Sequence, residues 1–123
     1  MAEYKADVLI IGSGPAGYTA GIYAARAGLK ALIVAGNQKG GQLILSSEVD
    51  NYPGFVETLA GFELMEKMRR QAEARGVAMV DDIISEVDFF DHPFTCSSIG
   101  GNSYQSKAII VATGSSVNWL GLP

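Results

Sequence analysis

Apolar positions in the first third of the chain form two short uncharged runs with a helical pattern between them. Asp7 to Ile11 (DVLII) reads as a buried strand, with no charge from Val8 to Ser13. A helical pattern runs from about Pro15 to Ala27 and is closed by Gly28; a second apolar run, Ala31 to Val34, reads as the next strand. Thr58 to Arg75 reads as a second helix. Phe62, Met65, Met68 and Ala72 recur at spacings of three and four and mark its buried face. Glu63, Glu66, Lys67, Arg69, Arg70 and Glu73 are mostly spread over the other face, and Gly76 is placed to cap the end.

Beyond Gly76 short strands take over, at about Ala78–Val80, Ile84–Phe90, Phe94–Ser98 and Tyr104–Thr113. Turns at Asp91-His92-Pro93 and Gly100-Gly101-Asn102 make the last three an antiparallel meander. The run Ala108 to Ala112 is continuous rather than alternating. It predicts a strand buried on both faces that returns to a parallel sheet.

Between the first strand and the first helix lies G-x-G-x-x-G, formed by Gly12, Gly14 and Gly17. In a strand–turn–helix–strand context this spacing points to a dinucleotide. Gly12 lets the chain turn sharply, Gly14 lets the backbone approach a pyrophosphate, and Gly17 lets the helix pack on the strand. The helix start presents free N–H groups and a partial charge of roughly +0.5 to phosphate. Pro15 fits the first turn, where an N–H is not needed. Gly21, inside the helix, costs about 1 kcal/mol relative to Ala and so predicts a close neighbour. The elements together predict an α/β fold: a Rossmann-like parallel sheet with a glycine-rich βαβ start and a three-stranded antiparallel meander.

Composition narrows the function. With 123 residues, 48% hydrophobic and 18% charged, the chain is one globular domain at most. A net charge of −4 argues against a general binder of nucleic acid or anionic membrane. A phosphate must then be held by backbone N–H groups. No apolar run approaches the roughly 18 residues of a membrane span, the start has no basic n-region, and Cys96 has no partner for a disulfide. These features fit a cytoplasmic protein.

Other residues qualify the picture. A carboxylate is expected about 20 positions after the glycines to bond the adenosine ribose. Ala35, Gly36, Asn37 and Gln38 stand there instead, which weakens a plain NAD reading. Gly40 and Gly41 make a second glycine turn followed by Gln42, whose amide both donates and accepts. Asn51 could bond a ring edge. Ala112, Thr113 and Gly114 are small residues at a strand's carboxyl end, where open α/β sheets place ligands. His92 beside Pro93 reads as an exposed turn residue. Metal-ligand spacings are absent, so no metal site is expected.

In this order and spacing, GSGPAGYTAGIYAARAG, KGGQL, EVDNYPGF and AIIVATGSS followed by WLGLP resemble the N-terminal FAD-binding portion of bacterial-type, low-molecular-weight thioredoxin reductase. The resemblance runs over essentially all of the chain, and GGQL followed by NYPG is more specific than the glycine fingerprint. It implies a flavin enzyme whose FAD-binding domain is interrupted by an NADPH-binding domain carrying a redox-active Cys-x-x-Cys. Electrons pass from NADPH through FAD to that disulfide and then to thioredoxin. Carried over by position, Gly12, Ser13, Gly14, Pro15, Ala16 and Gly17 hold the FAD pyrophosphate. Ala35, Gly36, Asn37, Gln38, Gly40, Gly41 and Gln42 run along the adenosine and diphosphate, with Leu43 following. Gln42 and Asn51 lie nearer the flavin, Ile84 backs the adenine, and Ala112, Thr113 and Gly114 close over the cofactor.

The resemblance also implies an incomplete FAD/NAD(P)-binding fold. Residues 1–114 correspond to the first part of the FAD-binding domain and residues 115–123 to the start of a linker towards the NADPH-binding domain. A second glycine fingerprint and a Cys-x-x-Cys are missing, Cys96 does not match the redox cysteines, and no residue here is expected to be catalytic. The leading expectation is a truncated or separately expressed FAD-binding portion of a thioredoxin-disulfide reductase that alone does not reduce thioredoxin. The family is commonly dimeric, so a homodimer is among the implied assemblies. Two other readings stay open: a stand-alone dinucleotide-binding module completed by a partner chain, and an NAD-only domain.

Overall fold

The computed structural model describes residues 1–115. The chain runs β1 (Glu3–Ile11), α1 (Pro15–Arg26), β2 (Ala31–Val34), a single 3₁₀ turn (Gln42–Leu45), α2 (Gly61–Ala74), β3 (Ala78–Val80), β4 (Ile84–Asp88), β5 (Phe94–Ser98) and β6 (Ser103–Val111). The strands form one sheet of order β3-β2-β1-β6-β5-β4. β1 pairs in parallel with β2 and β6, and β2 in parallel with β3. β4, β5 and β6 are joined antiparallel. The long β6 therefore belongs to both parts, as the meander and its return to the parallel sheet predict.

Buried strands need cover on both faces, and two different layers provide it. Val8, Ile10, Ala31 and Ile33 pack against Tyr18 of α1 and Leu64, Met65, Met68 and Ala72 of α2. Leu9, Ile11, Leu32 and Val34 pack against Cys96 and Tyr104 of the meander. Both helices end beside the glycines that the pattern marks, Gly28 and Gly76, in left-handed backbone. Gly21 does face close neighbours: a Cβ there would lie 3.1 Å from Ile33 Cδ1 and 3.2 Å from Val77 Cγ1. β1 starts earlier than its apolar run, because Glu3–Ala6 pair with Ser103–Ser106 and Tyr4 stacks on Tyr104.

Three expectations are corrected. The second helix starts at Gly61 rather than Thr58, and its buried face is Gly61, Leu64, Met65, Met68 and Ala72, leaving Phe62 exposed. Gly61 sets that rotation, since a Cβ there would lie 1.6 Å from the Leu43 carbonyl oxygen. The strand expected over Ile84–Phe90 ends at Asp88, where the Asp88 carboxylate accepts the Phe90 N–H and turns the chain. Finally, Ala108–Ala112 is not buried on both faces: Ala108, Ile110 and Val111 are exposed. β5 pairs with β6 only from Ser103 to Ser106, so this end of β6 has no outer neighbour among the described residues.

A buried carboxylate fastens the meander to the sheet. Asp82 Oδ1 accepts from the N–H groups of Ile83 and Gly100 at 2.8 and 3.2 Å, and Oδ2 from Asn102 Nδ2 and Tyr104 Oη at 2.9 and 2.7 Å. Burial by itself raises this carboxyl. The hydrogen bonds from Tyr104, Asn102 and the Ile83 amide outweigh burial and hold it well below the usual carboxylate range. Burial, with the Asp82 charge beside it, pushes the Tyr104 phenol up.

Candidate dinucleotide-binding site

At the carboxyl ends of β1, β2 and β6 three loops converge. Gly12 has φ +121°, and a Cβ there would lie 1.9 Å from the Ala112 carbonyl oxygen, so only glycine passes beneath that strand end. Backbone bonds lock the crossing: Gly12 N–H donates to Val34 O at 2.9 Å and Ala112 N–H to Ile11 O at 2.8 Å. Gly17 seats α1 on the loop, a Cβ there falling 2.2 Å from Gly12 O.

Gly14 is the N-cap of α1 and caps it with no side chain, while Pro15 begins the first turn. The N–H groups of this turn therefore lack intrahelical acceptors. Opposite Gly14 stands the second glycine turn, where a Cβ on Gly41 would come within 3.2 Å of Gly14 Cα. Side chains at either position would fill the space between the loops. The result is a shallow backbone cradle at a helix N-terminus, which fits a pyrophosphate without a cation.

Ser13 ties these loops together. Its buried hydroxyl donates to Ala35 O at 2.8 Å and accepts Gly40 N–H at 3.1 Å. The loop that leaves β2 is anchored as well, Ala35 N–H donating to Val80 O and Gly36 N–H to Asp82 O, at 3.0 and 2.9 Å. Gln42 Nε2 donates to Gln38 Oε1 at 3.2 Å, so these candidate amides order one another. Leu43, in the same 3₁₀ turn, packs against the helix-side core.

The structure thus brings together Gly12–Gly17, Ala35–Leu43 and Ala112. Thr113 and Gly114 follow β6 at the same end. Asn51 lies exposed on the loop closed by the Val49–Leu59 bridge, apart from these contacts. Ile84 opens β4 and packs half-buried against the meander core, two residues beyond Asp82. His92 is exposed, as expected, with its Nε2 2.8 Å from Lys107 O. Cys96 is buried in β5, and burial pushes its thiol up. Asp82, which supports the Gly36 loop through its backbone and the meander through its side chain, was not apparent as a site residue. Its one signal is an acidic pair, Asp81-Asp82, directly after an apolar run.

A parallel sheet with a glycine-rich βαβ start, helices on one face and a β-meander on the other defines an α/β fold of the FAD/NAD(P)-binding type. The family model described as pyridine nucleotide-disulphide oxidoreductase matches residues 6–123, and the chain belongs to that family. It is 49% identical over 116 residues to a thioredoxin reductase of Rickettsia bellii, covering 94% of this chain and 37% of that protein. It is 51% identical over 124 residues to a glucosaminate ammonia-lyase of Pseudomonas fluorescens, covering 100% of this chain and 38% of that one. Among solved structures, thioredoxin reductase from Giardia duodenalis superposes with TM-score 0.88 at 33% identity, over 95% of this chain and 38% of its own. The chain therefore spans well under half the length of these relatives, and it matches their N-terminal part.

Proposed function

We propose that this chain is the FAD-binding portion of a thioredoxin reductase-like flavoprotein, residues 1–114 forming the first part of the FAD-binding domain and residues 115–123 leading towards an NADPH-binding domain. The segment from residue 116 onward lies outside the described residues. The observation that carries the reading is the cradle between Gly14 and Gly41 at the uncapped start of α1. When bound, FAD supplies two-electron transfer between a reduced nicotinamide and a disulfide. This chain's residues bind and orient: Gly12–Gly17 hold the pyrophosphate, Ala35–Gln42 run along the adenosine and diphosphate, Ile84 backs the adenine, and Ala112–Gly114 cover the cofactor. Asn51 and Gln42 serve the flavin end.

In the whole protein NADPH would be the reductant, thioredoxin the acceptor, the assembly a homodimer and the compartment the cytoplasm. A lone buried thiol at Cys96 fits a chain that carries none of the dithiol chemistry. The test is an absorption spectrum of the purified chain after incubation with excess FAD and desalting, with circular dichroism to verify the fold. A retained flavin band supports the reading. A folded chain that binds neither FAD nor ADP in a direct titration overturns it.

A second reading rests on the exposed apolar end of β6. An unpaired sheet edge accepts another strand, which favours a dinucleotide-binding module completed by a partner chain. Flavin retention restored by a co-purifying polypeptide would select it.

A further inference from the structure

Dinucleotide folds of this type hold the adenosine ribose with a carboxylate at the end of the second strand. β2 here runs into Ala35-Gly36-Asn37-Gln38 and offers none. The neighbouring strand does. β3 pairs in parallel with β2, Val34 opposite Val80, and the Ala35 N–H donates to Val80 O. Asp81 follows at once, so it stands beside Ala35, one strand spacing of about 4.8 Å from the place where the acid ordinarily sits.

Its side chain turns towards the loop that leaves β2. Asp81 Oδ2 lies 3.0 Å from Lys39 Nζ, and both side chains are mostly in solvent, at 73% and 56% exposure. An exposed pair of this kind adds little to stability, and the carboxylate keeps free lone pairs for further donors. Asp81, Lys39, Ala35 and Ser13 line part of a cavity of about 470 Å³ beside the glycine loop, whose other cationic lining, Arg69 of α2, is already paired with Glu66 and Glu73. Asp82, by contrast, already accepts from four donors and serves to fix where Asp81 stands.

We infer that Asp81 takes the place of the missing β2 acid: its carboxylate accepts hydrogen bonds from the ribose hydroxyls of an adenine dinucleotide, and Lys39 orients it. This rests on the dinucleotide reading above and adds a specificity-determining residue to it. Because Asp81 neutralises Lys39, the site selects a free ribose 2′-hydroxyl over a 2′-phosphate. Removing the carboxylate frees the lysine and reverses that preference.

The test compares the wild-type chain and Asp81→Ala by calorimetric titration with ADP, 2′,3′-dideoxy-ADP and 2′-phospho-ADP. The expected result is about tenfold weaker ADP binding in the variant, the scale of one hydrogen bond to a charged group. Binding of the dideoxy ligand should be unchanged and that of the 2′-phosphorylated ligand improved. Equal losses for ADP and the dideoxy ligand would reveal a merely structural role and overturn the inference, as would ADP binding indifferent to the substitution. A wild-type chain that binds neither ADP nor FAD overturns the dinucleotide reading itself, and the inference with it. Lys39→Ala is the second variant: it should weaken ADP less than Asp81→Ala and abolish the gain with 2′-phosphate in the double variant.

Discussion

β1 and β6 lie side by side, run in the same direction and carry nearly the same apolar sequence. VLII of Val8–Ile11 is in register with AIIV of Ala108–Val111. Yet Ile10 is 0% exposed while its partner Ile110 is 39% exposed, and Val111 reaches 64%. The difference lies in the neighbours. β1 has strands on both sides, helices over one face and the meander over the other. β6 beyond Ser106 has β1 on one side and no described strand on the other. A continuous apolar run therefore identifies a strand capable of full burial, while the elements that bury it must be found elsewhere in the sequence.

The contrast can be broken most directly at the paired isoleucines. Ile10→Ala should cost about 2–5 kcal/mol, the range for deleting a buried aliphatic side chain, whereas Ile110→Ala should cost under about 1 kcal/mol. Denaturant titrations of the two variants measure both. Equal costs would mean that the end of β6 is covered in solution and that the two strands are alike after all.

A smaller effect is expected at Asp82, which holds the meander over the face that β1 has covered. Asp82→Ala leaves the Tyr104 hydroxyl, the Asn102 amide and the Gly100 N–H without their acceptor, a loss of about 2 kcal/mol. Since the folded carboxyl titrates below its unfolded value, its contribution is fully present above the ordinary carboxylate range. It is lost as pH falls through that range towards the lower folded value. Asp82→Asn should accordingly flatten the acid side of the stability–pH profile by lowering the plateau above the carboxylate range, where the wild-type carboxylate contributes in full. An unchanged acid limb would remove Asp82 from its role.

Local signals made most of this legible. The βαβ start is fixed by glycine spacing and two uncharged runs, and β2 occupies its expected residues. The meander follows from two turns rich in Gly, Asn, Asp and Pro. Less legible was whatever depended on distant partners. Phe62 sits at helical spacing from Met65, but Gly61 against the Leu43 carbonyl turns the helix so that Leu64 goes inside. The role of Asp82 depends on donors from the β5–β6 turn, which no local pattern connects to it. At the site, the two glycine turns that converge at the start of α1 were readable from their spacing. The use of the Ser13 hydroxyl was not, because its partners lie in loops after β2.

Ser13→Ala sharpens the picture of the tightly bound side of the sheet. It leaves the Ala35 carbonyl and the Gly40 N–H unpaired beneath the cradle, and should destabilise the chain by about 1–2 kcal/mol. The specific signature is faster hydrogen exchange at Gly40, since that amide donates to Ser13 Oγ. Global destabilisation without selective exchange at Gly40 would show that the second glycine turn is held by other means.

The smallest effect on stability is expected at Val111, and it tests the exposed side alone. Val111→Lys places a charge on an edge that has no partner strand among the described residues and faces solvent, so stability should change by no more than about 0.5 kcal/mol. Charged residues on a sheet edge oppose pairing between copies, so sedimentation velocity should show the variant no more self-associated than the wild-type chain. If Val111→Lys instead destabilises the chain strongly and in a concentration-dependent manner, the edge is buried between copies. The apolar run of β6 would then be matched to a surface supplied by a second copy, and its similarity to β1 would reflect the same requirement for burial met in a different way.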